Sequence, residues 1–163
     1  YPKKGILFRD ITTLIKNNDA FTHTIDLMVE SSKNFKIDKI AAMESRGFVF
    51  ASALSYILKK PFILLRKKNK LPAETHSVDF KLEYGTATME VHKDSISKND
   101  NVLLIDDLIA TGGTAEAAAK LVEISKGKVS GFIFVINLFD LGGSDNLIKK
   151  GYNVKNLIEF PGH

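Results

Sequence analysis

Lys39–Met43, Phe62–Leu65, Val102–Ile105 and Val129–Leu138 are short, almost uninterrupted apolar runs. A strand that reads as continuously apolar has both faces covered, which is the condition of strands in a parallel sheet. The segments between these runs carry helix signals. Phe21, Ile25, Met28 and Val29 recur at helical spacing behind Asn17-Asn18-Asp19, which supply a capping residue. Phe48–Leu58 is apolar almost all round and predicts a buried helix, with Pro61 just beyond its end. The alanine-rich Ala115–Ser125 predicts a helix closed by Gly127. Val78, Phe80, Leu82 and Tyr84 alternate with polar residues, and Thr86–His92 repeats the alternation after Gly85, which predicts a β-hairpin. Tyr152–Phe160 predicts a last strand. The fold class that follows is α/β, a mostly parallel twisted sheet flanked by helices. Right-handed crossovers bring the carboxyl ends of such strands to one edge, where open α/β sheets bind their ligands. The loops Glu44–Gly47, Arg66–Pro72, Asp106–Thr114 and Asn137–Leu141 all follow strand runs and are expected to converge there.

Composition narrows the class further. A chain of 163 residues with 44% hydrophobic and 26% charged residues predicts a single globular domain over residues 1–163. There is no cysteine, which excludes disulfides, thiolate metal sites and cysteine nucleophiles and fits a cytoplasmic location. The apolar stretches Gly47–Leu58 and Gly131–Leu138 fall short of the roughly 20 residues that span a bilayer, so no membrane partner is expected. The chain starts at Tyr1 without a methionine, and an N-terminal extension is expected to be missing. The net charge of +4 favours anionic partners. The densest cationic cluster is Arg66-Lys67-Lys68-Asn69-Lys70, which alone reads as a solvated loop. It lacks the interleaved aromatics and the recognisable module of a nucleic-acid binder, so no nucleic acid is expected.

The chemistry concentrates in Val102-Leu-Leu-Ile-Asp-Asp-Leu-Ile-Ala-Thr-Gly-Gly-Thr114, directly before the alanine-rich helix. Ala110, Thr111, Gly112, Gly113 and Thr114 stand at a helix N-terminus, where free N–H groups and the positive dipole end favour an anion. A phosphate there would accept several N–H bonds and the hydroxyls of Thr111 and Thr114. Asp106 and Asp107 are acceptor-only groups when ionised and suit the two hydroxyls of a ribose. Other phosphate motifs do not fit: no lysine follows Gly113 as in a P-loop, and no Gly-x-Gly-x-x-Gly fingerprint is present.

This string resembles the signature of the type I phosphoribosyltransferases, which bind 5-phosphoribosyl 1-diphosphate. Gly5-Ile-Leu-Phe-Arg-Asp-Ile-Thr12, Glu44-Ser-Arg-Gly-Phe48, Arg66-Lys-Lys-Asn-Lys-Leu-Pro72 and Leu82-Glu-Tyr-Gly85 resemble, in the same order, blocks of the adenine phosphoribosyltransferases. The resemblance runs from about Gly5 to about Leu141. It implies the type I phosphoribosyltransferase fold, with a β-hairpin flexible loop and a small hood from the N-terminal segment. It assigns the ribose and 5′-phosphate to Asp106–Thr114, and the diphosphate to the loop of Glu44, Ser45 and Arg46. Family members often carry a non-proline cis peptide in that loop. Arg66, Lys67 and Lys70 would give a second diphosphate contact, partly across a homodimer interface. Leu71–Tyr84 resembles the mobile loop that closes over the reaction. Within it Tyr84 matches a loop residue, and Glu83 matches the candidate for proton transfer at the purine. Leu7, Phe8 and Arg9 match the segment that holds adenine, with Leu138 on the other ring face.

The reaction so implied is adenine plus 5-phosphoribosyl 1-diphosphate giving AMP and diphosphate, with inversion at the anomeric carbon. Magnesium is implied as cofactor, bound mainly through substrate oxygens with little direct protein ligation. Arg46 and Glu83 are the residues implied in catalysis. Two alternatives stay open on sequence alone: a phosphoribosyltransferase for another base such as xanthine or hypoxanthine, and a non-catalytic sensor of the phosphoribosyl donor.

Overall fold

The structure is a computed structural model that describes residues 11–82 and 84–162. Residues Leu7, Phe8, Arg9 and Glu83, and with them most of the expected hood, lie outside the described residues. The described elements follow in the order α1 Ile11–Lys16, α2 Asn18–Ser32, β1 Lys39–Met43, α3 Arg46–Leu58, β2 Phe62–Lys67, β3 Thr75–Lys81, β4 Thr86–His92, β5 Asn101–Ile109, α4 Gly113–Ile124, β6 Lys128–Leu138, a 3-10 turn Phe139–Leu141, α5 Gly143–Lys149 and β7 Val154–Phe160.

The strands form one sheet in the order β3-β4-β2-β1-β5-β6-β7. The pairings β2–β1, β1–β5, β5–β6 and β6–β7 are parallel, with Ala41 opposite both Ile63 and Leu104. The hairpin β3–β4 is antiparallel and joins the sheet through Arg66↔Glu90 and Lys67↔Met89. The apolar runs are therefore the parallel strands, as their composition predicts. Their carboxyl ends at Met43, Lys67, Ile109 and Leu138 share one edge.

Each face of the sheet carries its own core. One is built on Ile40, Ala42, Leu103, Ile105 and Ile133 beneath α1, α2 and α3, with Met28, Phe50 and Leu54 fully buried. Burying a side chain of that size contributes about 2 kcal/mol. The other packs Leu65, Val91, Leu104, Phe132 and Phe134 under the alanines of α4 and Leu147 of α5, with Val78 and Phe80 of the hairpin leaning against it. Small side chains let α4 lie close to the sheet, which the alanine-rich sequence makes possible. At the start of α2, Asn17 caps as expected, its side chain accepting the Ala20 N–H at 3.0 Å. At the opposite edge from the strand ends, Asp38 accepts both the backbone and side-chain N–H groups of Asn101, which hold its carboxyl below the usual range.

Several boundaries differ from the sequence reading. β5 does not stop at Ile105 but continues to Ile109, because the β6 ladder pairs it as far as Ile109↔Asn137. Asp106 and Asp107 thus stand on a strand rather than in a loop. β3 begins at Thr75 and ends at Lys81, so Leu82 and Tyr84 belong to the turn and half of the expected mobile loop is strand. Helix α3 is not buried all round: Tyr56 is 85% exposed, and Val49 and Ile57 also face outward. The last strand begins at Val154; Tyr152 precedes it and donates its hydroxyl to Glu123 at 2.9 Å. Partial burial and that carboxylate push the Tyr152 phenol up to about 12. α1, α5 and the 3-10 turn were not anticipated; each is too short for a periodic signal.

Candidate active site

At the carboxyl edge of the sheet, β5 passes directly into α4 through Ala110, Thr111 and Gly112. Gly112 has φ +93°, a left-handed conformation that L side chains seldom adopt, and turns the chain sharply into the helix. The first intrahelical bond runs from the Glu116 N–H to the Gly112 carbonyl at 2.9 Å. The amides of Gly112, Gly113, Thr114 and Ala115 therefore have no intrahelical acceptor and lie at the positive end of the helix. They border a cavity of about 330 Å³, whose wall also includes Thr111, Asp106, Asp107, Ser45 and Arg46. A group of phosphate size and charge would meet backbone amides and the Thr111 and Thr114 hydroxyls here.

The acidic pair lies across from this turn. Asp107 is 5% exposed, and its Oδ2 lies 2.9 Å from Arg46 Nε. Its backbone N–H donates to Asp106 Oδ1 at 2.8 Å. Burial pushes the Asp106 carboxyl well above the usual range, and the adjacent Asp107 carboxylate adds to the rise. A carboxyl so raised keeps its proton more readily and then offers an O–H donor beside an acceptor pair. Asp106 needs a neighbour without a side chain: a Cβ on Gly47 would come within 2.9 Å of Asp106 Oδ1 and 3.3 Å of the Ile105 carbonyl. Glycine at the second residue of α3 thus brings Arg46 and the acidic pair together.

The Glu44–Ser45 peptide is cis, in the loop where the resemblance implies such a bond. The Glu44 N–H donates to the Leu65 carbonyl at 3.0 Å, and Glu44 Oε1 accepts the Lys67 N–H at 2.6 Å. Arg66 Nε lies 3.4 Å from the same oxygen, buried and without hydrogen-bond alignment. Glu44 therefore lines the cavity but turns its carboxylate toward the end of β2, fastening the cationic segment beside the loop. Arg66 joins the site through Glu44. Lys67 and Lys70 are exposed and do not line the cavity of this chain. Leu138 is 7% exposed and packs in the core beneath α1–α3, outside the cavity wall. Tyr84 is exposed at the hairpin turn.

Phe134 in the cavity wall lies outside every segment that the sequence places at the site, whereas Lys81, Leu82 and Leu108 fall within the expected loop and the Asp106–Thr114 segment without having been named as site residues. Lys81 arrives because β3 leans on α4, the Lys81 carbonyl lying 3.5 Å from the position of a Cβ on Gly113. That contact joins residues far apart in sequence and leaves no local signal. Among the described residues no three His, Cys, Asp or Glu side chains converge as a metal cage. With the Glu44 carboxylate turned toward β2, Asp106 and Asp107 are the carboxylates left facing the cavity, a pair that suits a magnesium ion drawing most of its ligands from a bound substrate and water.

Known proteins share this fold. The Phosphoribosyl transferase domain family matches residues 11–160. The adenine phosphoribosyltransferase of Pelagibacter ubique is 78% identical over 163 residues, covering 100% of this chain and 93% of that protein. The crystal structure of adenine phosphoribosyltransferase from Thermoanaerobacter pseudethanolicus superposes with a TM-score of 0.89 at 46% identity, covering 98% of this chain and 91% of that one. The enzyme from Saccharomyces cerevisiae, solved with an imino-altritol bisphosphate and adenine, gives a TM-score of 0.83 at 37% identity over 96% of this chain and 90% of that one. The chain belongs to the phosphoribosyl transferase family and, within it, to the adenine phosphoribosyltransferases.

Proposed function

We propose that the chain is a pentosyltransferase that moves the 5-phosphoribosyl group from 5-phospho-α-D-ribose 1-diphosphate to adenine, releasing AMP and diphosphate. The observation that carries this reading is the pairing of an amide-rich helix start with two adjacent carboxylates, Asp107 buried and Asp106 half-buried, around one cavity. The high identity to adenine phosphoribosyltransferases and the adenine bound in the yeast relative support adenine as the acceptor.

In this reading the 5′-phosphate sits on the Ala110–Thr114 turn and takes the hydroxyls of Thr111 and Thr114. Asp106 and Asp107 receive the ribose hydroxyls and orient the anomeric carbon toward the base. The transition state resembles an oxocarbenium ion, with negative charge gathering on the departing diphosphate. Arg46 stands beside Ser45 to meet that charge, held by Asp107 so that it needs no reorganisation during reaction. Arg66, fastened near Glu44, gives a second cation, and Lys67 and Lys70 lie free to reach a diphosphate across a homodimer contact. Asp106 and Asp107 would stand beside a magnesium ion held mainly by substrate oxygens, and such an ion, when bound, would supply positive charge to the leaving group. Glu83 takes or relays the proton displaced from the purine, and the turn bearing Tyr84 closes the site against water. Leu7, Phe8 and Arg9 hold the adenine, with Leu138 behind the opposite ring face. A cytoplasmic location belongs to the same reading, since the polyanionic donor does not cross a bilayer unaided.

A homodimer is supported by the outward apolar side chains of α3 and β2, with Val49 37%, Tyr56 85% and Leu64 39% exposed. Analytical ultracentrifugation should give twice the 18.1 kDa chain mass, and a Tyr56→Asp chain should sediment as a monomer. A monomeric wild type contradicts the dimer.

Nucleotide formation tests the activity. AMP should form from adenine only when the sugar diphosphate and magnesium are both present, with hypoxanthine and xanthine poor acceptors. In the same assay, Glu83→Gln should lower kcat by about a hundredfold with little change in adenine KM, as expected for loss of proton transfer. Equal turnover with another base overturns the acceptor assignment, and a change confined to adenine KM makes Glu83 a binding residue.

Asp106→Asn should raise donor KM about tenfold or more, the loss expected when a hydrogen bond to a charged or buried group goes. Its stability should move the other way. An unfolded aspartate titrates near pH 3.9, whereas native Asp106 holds its proton to higher pH. The wild type therefore loses stability as pH rises from about 4 through the raised native value. Asparagine removes that penalty, so the thermal midpoint of the variant should exceed that of wild type at pH 7–8, with the gap closing toward pH 4. Unchanged kinetics, or a gap that widens in acid, would refute the assignment.

A further inference from the structure

We propose that Gly143, the first residue of α5, is a positioning residue for the 5′-phosphate turn; this rests on the reading that Ala110–Thr114 holds that phosphate. The Gly143 N–H donates to the Ala110 carbonyl at 3.0 Å. A Cβ on Gly143 would stand 2.5 Å from the Ala110 carbonyl oxygen, 2.8 Å from the Gly112 nitrogen and 2.8 Å from the Thr111 carbonyl carbon. All three are backbone atoms of the phosphate turn, which cannot yield as the end of a flexible side chain can. The reciprocal contact is as close, a Cβ on Gly112 falling 3.1 Å from Gly143 Cα. Two glycines therefore meet backbone to backbone, and the second presses on the turn from the side away from solvent.

The support behind Gly143 is firm. Ser144 is 3% exposed, and its Oγ accepts the Asn156 side-chain N–H from β7 at 2.9 Å. Leu147, one turn further, is fully buried in the core that also holds Ala115 and Ala118 of α4. The short helix is thus anchored to the sheet and transmits that anchor to Ala110 and Gly112 through one glycine. Its backbone lies against Ala110, Thr111 and Gly112, while the Lys81 carbonyl borders Gly113. A phosphate binds well only where its donors are already aimed, because ordering them on binding subtracts from affinity.

The test compares two ligands that use different parts of the site. Ribose 5-phosphate reports the phosphate turn, and diphosphate reports the Glu44–Arg46 loop. Affinities are measured by competition against the donor, alongside thermal midpoints. For Gly143→Ala we expect about a tenfold loss of affinity for ribose 5-phosphate and for AMP, with diphosphate unchanged within about twofold. Should that variant fail to fold, Ser144→Ala removes the hydroxyl that ties α5 to β7 without placing an atom against the turn. It should weaken ribose 5-phosphate by about threefold and leave diphosphate alone. Unchanged ribose 5-phosphate affinity in the folded variant overturns the proposal. So does an equal loss for both ligands, which marks a general structural lesion. Thr111→Ala separates the underlying reading: if it leaves ribose 5-phosphate affinity intact, the phosphate assignment of the turn fails and the Gly143 role fails with it.

Discussion

Everything at the carboxyl edge of this sheet depends on backbone approaching backbone where no side chain intervenes. The α4 start can present free amides only because Gly112 turns left-handed and lies against Gly143, and the acidic pair can stand beside α3 only because Gly47 lacks a Cβ. The constraint is steric, but its product is electrostatic. Close packing aligns a positive helix end, two carboxylates and a guanidinium around one small volume from which bulk water is partly excluded.

Charge within that volume is balanced in a way that suits a reaction with separating charges. Arg46 is paired with Asp107, and Glu44 accepts from the end of β2, so each of these charges has an opposite charge or a donor beside it. Asp106 is the member that bears the tension, since burial and its neighbour both oppose its ionisation. Stability would be served by removing that carboxyl, whereas the proposed sugar recognition uses it. Such a conflict is expected at a functional site and seldom elsewhere.

The parallel strands were legible because residues such as Ile40–Met43 and Leu103–Ile105 are apolar on both faces, a pattern with few other solutions. The Asn17 cap and the alanine-rich α4 were legible for similarly local reasons. Where the reading departed from the structure, a distant partner decided the outcome. β5 continues through Asp106 and Asp107 because β6 pairs with it that far. The all-round apolar sequence of α3 suggested burial, yet Tyr56 is 85% exposed among the described residues. At the site, the phosphate turn and the acidic pair were visible as a motif. The attachment of Arg66 to Glu44, the approach of Lys81 and the backing of the turn by Gly143 were not, since each joins segments tens of residues apart. Leu7, Phe8, Arg9 and Glu83 rest on resemblance alone.

The most direct measurement of the central claim follows the backbone amides of the turn while ribose 5-phosphate is added to isotopically labelled protein. Resonances of Gly112, Gly113 and Thr114 should move together and saturate, with downfield amide protons marking hydrogen bonds to an anion. If the ligand binds while those amides stay still and shifts cluster elsewhere, the helix start does not hold the phosphate and the account is wrong.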